Sequence, residues 1–323
     1  MSPVLQVHPL RRCNLRCAHC YSMSSPDETE ALDVDLLLAA IIDAAGEGYD
    51  VLAVSGSEPL LYRDLPRLIR RAKEVGMTSA VTTNGTLLDD RRLAMIGGVD
   101  LLAISLDGVP ASHDRMRGAR SFERMSRRLD GLRASGIRFG FIFTLTMQNL
   151  DELEWVAEFA LAAGASLLQV HPLELAGRGL PLGGARPDEE ELQWAVVEAS
   201  RVQTAVGPSL TVHVDAVARG SLTQVLDRPG GTTGFAGLVD PLVIESDGSI
   251  TPVEHGFDRS WSLGSLHRDS LATCVDRFRT DRLADLEEHV LRGAAVDAAG
   301  RDSRFVNWHE AVGLRARAHA DAC

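Results

Sequence analysis

A chain of 323 residues, 45% hydrophobic and 24% charged, is long enough to bury a large core without disulfide staples. Its net charge of −12 gives no electrostatic support for sequence-independent binding to nucleic acid or to an anionic membrane. The start "MSPVLQVHPLRRC" has no secretory signal pattern and no apolar run reaches the roughly 20 residues of a membrane span. Five cysteines, three of them clustered, do not form an extracellular disulfide framework, so a reducing cytoplasmic setting is expected.

Strands are predicted at 4–10, 51–56, 78–84, 101–107, 137–146 and 166–173, each a short β-type run. Between them lie "DVDLLLAAIIDAAGEG", "DLPRLIRRAKEVG", "LDDRRLAMIGG", "SFERMSRRLDGLRASG" and "NLDELEWVAEFALAAG". Each spaces apolar residues as a helix does and begins near a capping residue. Six strand–helix repeats imply an α/β fold with a parallel sheet and right-handed crossovers, closed as a barrel or left open. In either form the C-terminal strand ends make the working face.

Beyond a glycine- and proline-rich loop at 176–187 and a helix at about 188–205, the pattern changes. A strand at 209–217, a hairpin at 241–257 turning at Asp247-Gly248, a helix at about 269–289 and an irregular tail are expected. A soft boundary near 206 divides a core (1–205) from a smaller α+β appendage (206–323).

"RRCNLRCAHCYS" (11–22) sets Cys13, Cys17 and Cys20 in a loop directly after the first strand. A structural zinc site usually takes four ligands, and His19, adjacent to Cys20, is poorly placed to be the fourth. Three thiolates suit a [4Fe–4S] cluster with one iron left open to a small chelator.

C-x3-C-x2-C after the first strand of a β/α repeat resembles the radical S-adenosylmethionine (SAM) superfamily, whose core is a partial (β/α)6 TIM-type barrel. The resemblance implies a [4Fe–4S] cluster on Cys13, Cys17 and Cys20, with SAM chelated to the open iron. It also implies that His19 and Tyr21 frame the adenine. "VSGSEPLL" (54–61) is similar to the family's Gly-Gly-Glu-Pro segment, which holds the SAM amine and corresponds here to Gly56, Ser57, Glu58 and Pro59. Ser57 in place of the second glycine matters only if that residue needs positive φ. "TTNGTLL" (82–88), "ISLDG" (104–108) and "HDRMRG" (113–118) resemble the peptide-modifying branch. By that resemblance Asn84, Ser105 and Asp107 line the SAM and substrate cavity, and Arg117 is a candidate for the SAM carboxylate or a substrate anion. Each Asx-Gly pair alone reads equally as a turn between strand and helix; it is the ordered set at strand ends that carries the reading.

Gln169 and His171 end the sixth strand. His171 is a candidate for proton transfer, with a hydrogen-bonded structural histidine as the plain alternative. Arg178, in the next loop, is a weaker candidate.

"LVIESDGSITPVEHGFDRSWSLGSL" (242–266) is similar to the SPASM or Twitch auxiliary-cluster domain. Val243 and Val253 stand where that domain has cysteines, and Cys274 and Cys323 alone cannot bind another cluster, so the appendage is expected to keep the scaffold without auxiliary clusters. Cys274 reads as a buried small hydrophobe. Cys323 resembles the tail of radical SAM proteins in which Cys precedes Cys or selenocysteine and Ala-Glu-Pro, as if a selenocysteine codon had been read as a stop. The expected activity is reductive SAM cleavage and hydrogen abstraction from a peptide or small polar substrate, with flavodoxin or ferredoxin as reductant. The alternative is a zinc-stabilised barrel acting as a binding or assembly factor.

Overall fold

The computed structural model describes residues 2–226, 234–300 and 304–320. Seven strands pair in parallel in chain order: β1 (Val4–Val7), β2 (Val51–Val54), β3 (Thr78–Thr83), β4 (Leu101–Ser105), β5 (Phe139–Leu145), β6 (Leu167–Pro172) and β7 (Thr211–Val214). A two-residue strand β8 (Val217–Ala218) pairs apart from this sheet with β12 (Phe305–Val306). On the other side of β1 lies β9 (Leu242–Ile244), also parallel, followed by antiparallel β10 (Ser249–Pro252) and β11 (Gly264–Ser265). The ten-stranded order has β11 at one end and β7 at the other, so the sheet is open: a partial β/α barrel extended at both edges. The proposed division at 206 falls at the end of a helix, and the chain beyond it contributes strands to both edges of this sheet.

β5 is buried along nearly its whole length, which fits a central parallel strand covered on both faces. Crossover helices α1 (Val34–Gly46), α2 (Leu65–Glu74), α3 (Asp90–Met95), α4 (Pro110–Arg117), α5 (Ser121–Ser126), α6 (Leu129–Ser135) and α7 (Leu153–Ala163) lie between the first six strands. α1 starts where Asp33 accepts a hydrogen bond from Asp35 N, and it buries Leu37, Ala40, Ile41 and Ala44. Each large aliphatic side chain buried this way contributes roughly 1.5–3 kcal/mol. The stretch expected as one helix at 121–136 is divided into α5 and α6. Near the break the Ser126 hydroxyl donates back to the Glu123 carbonyl, a local bond that competes with the helical ladder. α8 (Glu189–Val206) opens with a capping box between Asp188 and Glu191.

The expected hairpin forms, with Gly248 N donating to Glu245 O across the turn. The helix expected at 269–289 is instead Leu271–Asp281, interrupted by the non-helical Arg282 and resumed in shorter pieces to Ala299. The tail expected to be irregular contains a helix, Trp308–Ala320. Its buried face is made of Val312, Gly313 and Ala316, a stripe too small to show as apolar periodicity. Cys274 is fully buried in the main core, and Cys323 lies outside the described residues. Among the described residues no helix is long and apolar enough to cross a membrane.

Candidate functional site

The C-terminal ends of β1 to β7 open on a cavity of about 400 Å³. Cys13, Cys17, Cys20, His19, Tyr21, Gly56, Ser57, Asn84, Ser105, Arg117 and His171 all line it. Glu58 and Asp107 do not; they are buried behind its wall.

The cysteine loop has almost no ladder of its own and is held from outside. Cys13 N donates to Ser25 O at 3.0 Å, and Ala18 N to Met116 O at 2.8 Å. Cys13 and Cys17 are buried against Leu15, with Cys20 packed on them. Burial pushes the Cys13 thiol up to about 12 and raises Cys17 too, with neighbouring carboxylates and thiols adding to the effect. Such thiols ionise readily only against a metal's charge. Among the described residues no three His, Cys, Asp or Glu side chains gather around one point as a single ion requires. Three thiols set around a shared cavity fit a cluster that takes one thiolate per iron.

Behind the second and third strands, Glu58 is wholly buried. Its Oε1 accepts from Thr83 Oγ1 (2.8 Å) and Leu60 N (3.1 Å), and its Oε2 from Asn84 N (2.9 Å). Burial raises its pKa, opposed by those bonds. The carboxyl therefore fastens the β3 loop, while Asn84 reaches the cavity and donates to Asn14 Oδ1 at 2.9 Å. Gly56 has φ +96°, and a Cβ there would lie 2.5 Å from the His8 ring, so glycine is required. Ser57 has no such φ, which removes the backbone objection to serine. Its buried hydroxyl has no hydrogen-bond partner among the described residues.

Asp107, 1% exposed, grips Arg117 with two bonds, Nε to Oδ2 at 2.6 Å and Nη2 to Oδ1 at 3.2 Å. His19 Nε2 lies 3.4 Å from the same carboxylate. Burial disfavours the Asp107 anion, but Arg117 and His19 outweigh it and hold the carboxyl well below its usual range. Burial also pushes His19 down to about 4, against the pull of Asp107. The cysteine loop, β4 and α4 are thereby joined by one buried ion-pair network.

The opposite wall is built differently. His171 Nδ1 is 2.7 Å from Asp215 Oδ2 and its Nε2 is 3.3 Å from Glu174 Oε1. Gln169 Nε2 donates to both Asp215 oxygens, at 3.0 and 2.8 Å. Burial opposes the imidazolium, yet the two carboxylates raise His171 well above its ordinary pKa. Glu254, near Glu174, is pushed up to about 8 by burial and by that neighbour's charge. His255 packs at an angle against His8 and edge-on to Tyr21, with centroids 4.6 and 5.1 Å away, and His309 completes this wall.

Glu174, Asp215, Glu254, His255 and His309 escaped the sequence reading. Asp215 follows a strand as the other site residues do, so the strand-end rule could have found it. Glu254 and His255 follow the hairpin, and His309 sits on the tail helix; no sequence signal marks them. Val253, at a place where the related hairpin domain has a cysteine, is buried with φ +70°.

Residues 7–160 match the radical SAM superfamily. They form a radical SAM domain. The chain is 33% identical over 198 residues to an Fe-coproporphyrin III synthase of Methanosarcina barkeri, covering 60% of this chain and 50% of that one. It is 31% identical over 203 residues to a PqqA peptide cyclase of Granulibacter bethesdensis, covering 59% and 53%. It spans about half the length of the curated relatives it matches. The likeness of fold extends past the matched segment: Streptococcus suis SuiB bound to S-adenosylmethionine superposes with a TM-score of 0.70 at 15% identity, over 90% of this chain and 68% of that one. Native anSMEcpe with bound AdoMet gives 0.65 at 18% identity, over 99% and 97%.

Proposed function

We propose that this chain is a radical SAM enzyme holding a [4Fe–4S] cluster on Cys13, Cys17 and Cys20, with SAM on the open iron. The observation that carries this reading is the placement of three buried thiols on one cavity with Gly56, Ser57, Asn84, Ser105 and Arg117. When bound, the cluster and SAM supply an electron that cleaves the sulfonium and a 5′-deoxyadenosyl radical that abstracts hydrogen.

The chain's own residues bind and orient. Gly56 would let the backbone approach the SAM amine, and the Ser57 hydroxyl, without a partner among the described residues, could accept a hydrogen bond from it. Asp107 engages the Nε and Nη2 edge of Arg117 and so holds the guanidinium in one orientation at the cavity wall. His19 and Tyr21 line the part of the cavity where the adenine would sit. His171, between Glu174 and Asp215, holds a proton at Nδ1 or Nε2 on the substrate side. Residues 1–205 supply the cluster side, and residues 206–323 supply Asp215, Glu254, His255 and His309 to the wall opposite.

The substrate is a peptide side chain or a small polar molecule. A cavity of about 400 Å³ is near the low end of ligand pockets (roughly 300–1,000 Å³). Similarity to PqqA peptide cyclase supports the peptide; the heme-synthase relatives support a different substrate. A flavodoxin or ferredoxin is the expected reductant.

Protein prepared without air should be brown, carry about four irons per chain and release 5′-deoxyadenosine on reduction with SAM. Deuterium transfer from a labelled peptide into 5′-deoxyadenosine identifies the substrate hydrogen. A colourless protein that holds zinc and does not cleave SAM would refute the proposal.

A further inference from the structure

The loop after β6 crosses over the cysteine loop. Arg178 N donates to Cys20 O at 3.0 Å, its Nε to Cys17 O at 2.9 Å and its Nη2 to Ser24 O at 2.7 Å. One residue thus ties down three carbonyls of a segment that lacks strand or helix of its own. Glycines on both sides make the approach possible. A Cβ on Gly177 would run into the Tyr21 carbonyl oxygen and lie 2.7 Å from that of Cys20. A Cβ on Gly179 would lie 2.9 Å from Glu174 O and 3.5 Å from His19 O.

Charge distinguishes Arg178 from Arg117. Both side chains line the cavity that Cys13, Cys17 and Cys20 share. Arg117 is neutralised by Asp107. Arg178 bonds to carbonyls and forms no ion pair among the described residues. Its charge beside the cysteine loop is met by carbonyl oxygens and not by a paired carboxylate among the described residues.

We propose that Gly177–Gly179 is a clasp on the cysteine loop, in which Arg178 positions the loop and sets the reduction potential of its cluster. The proposal rests on the cluster reading above. A cluster gains one negative charge on reduction, so a fixed cation nearby stabilises the reduced state more than the oxidised one. Removing that cation lowers the midpoint potential; removing only the geometry alters the cluster's surroundings but not its charge balance.

The test is a redox titration of reconstituted holoenzyme followed by the EPR signal of the reduced cluster, with iron content and circular dichroism on each variant. R178Q is expected to lower the midpoint by about 59 mV, a tenfold change in a one-electron equilibrium. R178K keeps the charge without the fork, so its potential stays near the parent's while its EPR signal broadens. G177A leaves the charge in place and lowers the iron retained per chain. An R178Q cluster with the parent's potential and line shape overturns the proposal. If R178Q does not fold, an R178K signal identical to the parent's overturns it. A parent protein that binds no iron–sulfur cluster refutes the function reading instead.

Discussion

The two walls of the cavity are built on opposite principles. On the cluster side, polar side chains are spent on one another: Glu58 on Thr83 and two backbone amides, Asp107 on Arg117 and His19. On the far side, His171, Glu174, Asp215 and Glu254 meet as partly exposed titratable groups with shifted proton affinities. The first arrangement costs adaptability and gives a rigid frame, suited to chemistry that needs fixed geometry. The second leaves charge and protons at the surface of the cavity, where a substrate meets them. A buried network therefore marks the frame, and unsettled proton affinity marks the side that recognises.

Substitutions on the two walls should separate these roles. Cys17→Ala is expected to abolish both the brown colour and SAM cleavage; a fully active variant would remove the basis of the comparison. Asp107→Asn leaves the Arg117 side chain, only 11% exposed, without its anion and is expected to cost about 3–5 kcal/mol of stability in urea unfolding. A loss below 1 kcal/mol would mean that the network is not a frame. Asp215→Asn should retain SAM cleavage without substrate but lower substrate-dependent deuterium transfer about 100-fold, the low end of what one positioned acid–base group contributes. Equal loss of both activities would join the two walls into one functional unit.

The proton affinities give smaller, signed effects. His171 has a folded pKa above its unfolded value. Its contribution to stability is complete below about pH 6.5 and lost as pH rises through the folded value. His171→Gln should remove that part of the pH dependence in unfolding titrations. Glu254 also has a raised folded pKa, about 8, against an ordinary carboxyl near 4.5. Folding favours its protonated form, so its contribution falls as pH rises from about 4.5 to 8. Glu254→Gln should flatten the profile across that window; an unchanged slope would place the carboxyl in contact with water.

Most of the frame was legible because its residues sit within a few positions of strand ends. Cys13 to Cys20, Gly56 to Glu58, Asn84 and Asp107 each follow a strand that reads clearly as β. Residue type did not show which way each side chain points. Glu58 and Asp107 carry the same motif signal as Ser57 and Asn84, yet they turn into the protein and serve as anchors. The recognising wall was largely hidden. His309 rides on a helix whose buried stripe is alanine, glycine and valine, and Glu254 follows a hairpin whose composition says nothing of what lies beyond it.

The sequence by itself determined the repeat of strand and helix, the loop that carries three thiols, and the edge on which the motifs assemble. These follow from local periodicity and from the rule that parallel strands with right-handed crossovers bring all their C-terminal ends to one side. Only the tertiary structure decided which carboxylates become anchors, that Arg178 reaches back 161 residues to Cys17, and that the chain beyond 206 returns to close the cavity. Those outcomes depend on burial and charge pairing between segments far apart in the chain, where no local pattern carries the information.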